Sequence, residues 1–153
     1  MTRGMESETA PTPLQALGPA EMGAALRGVG VNLLTRDAAS LARFLSDVFG
    51  ATAHQVAADF ALVLHDGAAL QLHGHGAFAR HPLHALLPES GPAGAGVQVY
   101  LFRADPDAAA ARAEAAGGTV IEAPRDKPHG LREATILSPE GFAFTVAAPL
   151  AAP

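Results

Sequence analysis

From residue 27 onward the sequence passes twice through the same order of structural signals, and a chain written that way has few ways to bury itself. The first passage opens on a short apolar run of strand length, Gly30, Val31, Asn32, Leu33 and Leu34. Asp37 or Ser40 then stands where a helix N-cap is wanted. Leu41, Phe44, Leu45, Val48 and Phe49 recur at the helical period on one face, and Gly50 supplies a left-handed stop. Strands are expected over 53–57 and 60–64. Asp66 and Gly67 mark a hairpin turn, after which Leu70 and Leu72 alternate with Gln71 and His73.

The second passage repeats the first. A strand is expected over 96–102, and Asp105 with Pro106 places a cap and a proline at the start of an alanine-rich helix. Gly117 closes that helix. A strand over 119–121 follows, then a hairpin made of 134–137, the turn Pro139, Glu140 and Gly141, and 142–146. Gly30 matches Gly96, Gly50 matches Gly117, and Gly67 matches Gly141. A single copy of the order β-α-β-β-β cannot bury its own sheet face, so the two must pair.

What flanks these copies sets the boundaries. Residues 1–26 hold Pro11, Pro13 and Pro19 without a regular period, which predicts a flexible N-terminal arm with a short helix over 20–26. The first module spans 27–75, a glycine- and proline-rich linker 76–94, and the second module 95–149. Hydrophobic residues make up 49% of the 153, enough for a sizeable interior. A net charge of −5 with no basic run argues against nucleic acid. The absence of cysteine removes disulfide and thiolate chemistry, and no apolar stretch reaches the roughly 18 residues of a membrane span. No compact apolar signal region opens the chain, since Glu6 and Glu8 interrupt it. The expectation is a cytoplasmic protein with no membrane partner.

The residues from Val31 to Gly50, with Asp37, Phe44 and the closing Phe49-Gly50, resemble the opening of a vicinal oxygen chelate module. The second half is more similar still: Asp105-Pro106-Asp107, then Ala116-Gly117-Gly118, Pro128-His129-Gly130 and Ser138-Pro139-Glu140-Gly141 come in that group's order. The resemblance is to the glyoxalase, bleomycin-resistance and extradiol dioxygenase superfamily. It implies an α+β fold of two βαβββ modules with curved mixed sheets enclosing a cavity. Metal-using relatives take one ligand from each of four strands, from histidine, glutamate or glutamine. Carried over one at a time, those positions are Gly30, Gln71, about Gln98, and Thr145. A glycine, two amides and a hydroxyl cannot neutralise a divalent ion, so the resemblance implies a metal-free branch with no cofactor.

Strand alternation turns Asn32, Gln71, His73, Gln98, Tyr100 and Thr145 to the cavity side, with Leu34, Phe60 and Phe102 as apolar surface. The expected ligand-binding set is therefore Asn32, Gln71, His73, Gln98, Tyr100, Phe102 and Thr145. Such a neutral lining suits a small amphipathic organic molecule. The alternative is a metal-dependent lyase, isomerase or dioxygenase, or an enzyme using His73 as a lone base, whose pKa lies near neutrality. A regulatory module without a ligand is a third reading. His65, His73, His75, His81 and His84 are spaced like metal ligands, but most fall in or beside the linker, where exposed histidines with no role are the plainer reading. Glu122, Asp126, His129 and Glu133 flank what reads as a second-module loop. The helix over 108–116, rich in small residues, invites close packing and favours a homodimer.

Overall fold

The protein is described by a computed structural model covering residues 10–151. The first module comprises β1 (Val31–Thr35), α2 (Ala38–Phe49), β2 (Thr52–His54), β3 (Phe60–His65) and β4 (Ala68–Gly74), preceded by a short helix α1 (Pro19–Ala25). The second comprises β5 (Gln98–Phe102), α3 (Pro106–Ala113), β6 (Thr119–Asp126), β7 (Leu131–Leu137) and β8 (Ala143–Pro149). Each module closes a four-stranded sheet in the same way, in the orders β1-β4-β3-β2 and β5-β8-β7-β6. The first strand runs parallel to the last, and the remaining pairs are antiparallel. This is the duplicated α+β architecture that the repeated signals demand.

Local chemistry sets the helix ends. The Asp37 carboxylate accepts from the Ser40 amide at 3.0 Å and the Ser40 hydroxyl at 2.7 Å. Asp105 does the same for the Asp107 and Ala108 amides, with Pro106 in the first turn. Gly50 ends α2 at a φ of 72°.

Strand lengths depart from expectation in both modules. Strand β2 stops at His54, not 57, because Gln55 adopts a φ of 51° that no strand continues. Strand β6 runs to Asp126 instead of 121; as an edge strand it absorbs Pro124 through two register shifts. The segment read as a loop between 122 and 133 is therefore a hairpin, turned where the Lys127 amide donates to the Leu131 carbonyl at 2.7 Å.

Both helices lie between the two sheets and share one core. Phe44, Leu45, Val48 and Phe49 of α2 are buried in the same cluster as Ile136, Phe144 and Val146 of the second sheet. The Phe49 and Phe144 rings stand 5.5 Å apart, and Arg112 of α3 donates twice to the Val48 carbonyl. Ala109 and Ala113 of α3 are fully buried in this contact. The close packing that small residues invite thus joins the two modules within one chain. Gly118 is part of the same fit, since a Cβ there would lie 2.8 Å from the Phe44 ring and 2.9 Å from the Leu137 carbonyl. A second tie crosses the surface. Glu140, in the β7–β8 turn, accepts from the Thr35 hydroxyl and, at 2.8 Å, from the Arg36 amide.

Candidate functional site

Alternation fixes what each sheet face carries. On β1 and β4 the residues Leu33, Leu70 and Leu72 pack on the helices, so Asn32, Leu34, Gln71 and His73 point the other way. On β5 and β8 the core takes Leu101, Phe144 and Val146, leaving Gln98, Tyr100, Phe102 and Thr145 on the opposite face. Strands β1 and β5 are edges of their sheets, unpaired on one side. Between them opens a cavity of about 730 Å³.

Three of the seven expected site residues line this cavity: Gln71, Gln98 and Tyr100. The other four stand around it in different ways. Phe102 stacks on Tyr100 with centroids 5.3 Å apart and planes 18° from parallel, which makes a flat exposed aromatic platform. Thr145 is fully buried, and its hydroxyl is taken by the Gln98 amide and by Thr135 at 2.8 Å. It therefore acts on the cavity only by holding Gln98. Asn32 and His73 pair with each other further along the first sheet, Nδ1 to Oδ1 at 2.7 Å. An amide oxygen only accepts, so His73 donates from Nδ1 and its Nε2 is left as an acceptor in the neutral ring. Phe60 and Phe78 pack edge-on against that ring at 5.1 and 5.5 Å, and burial lowers its pKa from the ordinary 6.5.

The remaining wall comes from a place that alternation cannot indicate. Leu14, Ala25 and Leu26 line the cavity from the N-terminal arm, and Arg27 from its junction with the first module. Residues 10–26 form a 3-10 turn at Leu14–Ala16 and helix α1, which matches the short helix expected over 20–26, with Met22 only 8% exposed. The Gln55 amide donates to the Gln15 carbonyl at 3.4 Å, fastening the arm near the end of β2. Residues 1–9 of the expected arm lie outside the described residues.

The donor set at the superfamily's metal positions does not fit a divalent cation. Gly30 has no side chain, and the Gln98 and Thr145 groups are bonded to each other. Among the described residues no group of three or more histidine, aspartate and glutamate side chains is placed to hold a metal ion. His75 and His84 fall on two 3-10 turns, His75–Phe78 and Pro82–Leu86, His81 caps the second by accepting from the Leu83 amide at 3.0 Å, and His65 reaches instead to the Phe102 carbonyl at 2.6 Å. The β6–β7 hairpin residues make ion pairs. Lys127 and then Arg125 lower the pKa of Glu122, and Glu133, its side chain 5% exposed, meets His129 Nε2 at 2.8 Å. A smaller cavity of about 290 Å³ lies where the β7–β8 turn meets the start of α2, and the Glu140 contacts between modules form its edge. No described helix is long and apolar enough to cross a membrane.

Comparison with known proteins points one way. Residues 29–147 match the family described as Glyoxalase-like domain. Among solved structures, the chain is similar to a glyoxalase/bleomycin resistance protein/dioxygenase family enzyme from Burkholderia phytofirmans PsJN. That likeness has a TM-score of 0.66 at 24% identity and covers 78% of this chain and 96% of that one. It is also similar to a glyoxalase-related enzyme from Fulvimarina pelagi, with a TM-score of 0.61 at 19% identity, covering 83% and 94%. TioX from Micromonospora sp. ML1 gives 0.57 at 21%, covering 83% and 99%. No curated protein is matched by the sequence.

Proposed function

This chain belongs to the glyoxalase-like domain family of the vicinal oxygen chelate superfamily, and from that membership we propose that it binds a small amphipathic organic molecule without using a metal. The observation that carries the reading is the convergence of Gln71, Gln98 and Tyr100 on one cavity whose other walls are largely apolar. A volume of about 730 Å³ falls within the few hundred to a thousand Å³ usual for small-molecule sites. Two amides and a phenol orient a ligand by hydrogen bonds, and the Tyr100–Phe102 platform beside them offers a flat face for a planar one. A metal-dependent lyase, isomerase or dioxygenase would need donors that Gly30 and Thr145 do not offer. The same reading has the protein acting in the cytoplasm as a homodimer. The unpaired backbone edge of β5 supports the second half of that statement.

The test is a thermal-shift screen of planar aromatic and small carbonyl compounds, followed by calorimetry of the hits on two variants. Tyr100→Phe and Gln71→Leu each remove one hydrogen-bonding group from the cavity wall. Each is expected to weaken binding by roughly five- to 150-fold, equivalent to about 1–3 kcal/mol, with the fold intact. Hits that bind both variants as tightly as the parent protein would place the site elsewhere.

A further inference from the structure

Among the described residues, the cavity lining contains one fixed charge. Arg27, where the arm joins β1, is exposed and lines a wall otherwise made of glycine and aliphatic residues, two amides and a phenol. No aspartate or glutamate among the described residues lines the cavity. Among the described residues Arg27 makes no ion pair and no side-chain hydrogen bond; every other arginine that forms a salt bridge has its acid outside this cavity. The acid on α1, Glu21, is turned to the Gly18 amide instead.

A guanidinium cannot shed its proton, and its planar fork matches the oxygens of a carboxylate or a sulfonate. With no counter-charge among the described lining residues, a cationic guest meets repulsion and an anionic one finds a partner. We infer that the ligand of this cavity is an organic anion: a flat apolar body resting on the Tyr100–Phe102 platform, with an acidic group carried to Arg27. The inference rests on the seam-cavity reading above and adds the charge of the molecule that the cavity takes.

A matched pair of fluorescent dyes tests the two separately. 8-Anilinonaphthalene-1-sulfonate and N-phenyl-1-naphthylamine share one aromatic body, and only the first carries the sulfonate. Both are titrated into the full chain and into Arg27→Gln, Arg27→Lys and Gln71→Leu, with melting curves to check that each variant folds. The expected result is that Arg27→Gln weakens the sulfonate dye by roughly ten-fold or more and leaves the neutral dye within about two-fold. Arg27→Lys should recover part of the loss, since it restores charge without the planar fork. Raising salt should weaken only the sulfonate dye. If Arg27→Gln changes neither dye while Gln71→Leu weakens both, the anion subsite is overturned and the cavity reading stands. Equal losses of both dyes in Arg27→Gln would make the residue a prop for the arm, which also overturns the inference. If Gln71→Leu affects neither, the cavity reading fails and takes the inference with it.

Discussion

The His73 imidazole is held by Asn32 on one nitrogen and hemmed by Phe60 and Phe78, and its burial lowers its pKa from 6.5. The folded state therefore binds this proton less readily than the unfolded chain does. The stability tied to the neutral ring is complete above pH 6.5 and falls as the pH drops through 6.5 towards the lower folded-state value. Melting temperatures at pH 7.5 and 5.5 should show a smaller acid-side loss in His73→Gln than in the parent. Equal losses would show that His73 does not sense the change. At this scale the sequence was partly legible. Alternation placed Gln71, Gln98 and Tyr100 on the right face because a period of two needs only the strand's register. It gave direction without depth: Thr145 points to the same face as Tyr100 but lies on β8, between β5 and β7, where Gln98 and Thr135 close over its hydroxyl. Arg27 escaped because nothing local distinguishes a cavity-lining arginine from a solvated one.

The elements were legible where a cap or a turn residue marks them. Asp37, Gly50, Asp105 and Gly117 bound their helices through hydrogen bonds or left-handed backbone that few other residues supply as well. Strand ends were less so, because the extension of β6 past Pro124 depends on its being an edge, which is a fact of the sheet and not of the segment. Gly118 shows the same dependence. It precedes β6 with no unusual backbone angle, yet Phe44 of the other module presses on the position where a side chain would begin. Gly118→Ala gains about 0.4–1 kcal/mol from a stiffer unfolded chain and loses about 1–3 kcal/mol to overpacking, because the Leu137 carbonyl cannot move aside. The packing cost wins. Chemical denaturation should report a net loss, and a variant as stable as the parent would mean that α2 can retreat from the second sheet.

In the molecule as a whole, the shared α2–α3 core makes the two modules one cooperative unit, and Glu140 reinforces it from the turn of one module to the first strand of the other. Glu140→Ala leaves the fully buried Thr35 hydroxyl, which still accepts from the Asp37 amide, with only the weaker Asp37 carbonyl at 3.4 Å to donate to, and strips the Arg36 amide of its acceptor. The expected cost is about 1–3 kcal/mol, read by calorimetry as a lower melting temperature in a single transition. Two separated transitions would mean that the modules unfold independently. The duplication itself announced the pairing of modules, but not which faces would meet. With the helices turned inward, the polar sheet faces were left outward and the cavity fell to the seam between two unpaired edges.

That position has a consequence in the language of exchange kinetics. The cavity draws its wall from the arm, from the start of the first sheet and from β5, so no contiguous segment contains it. A guest lodged there touches both halves of the duplication, and any breathing motion that parts them must first release it. Occupancy would thus suppress such openings by mass action, in proportion to ligand concentration over Kd. Amide protons on β2 and β6, the outer edges farthest along each sheet from the seam, would trade with deuterium more slowly although nothing touches them.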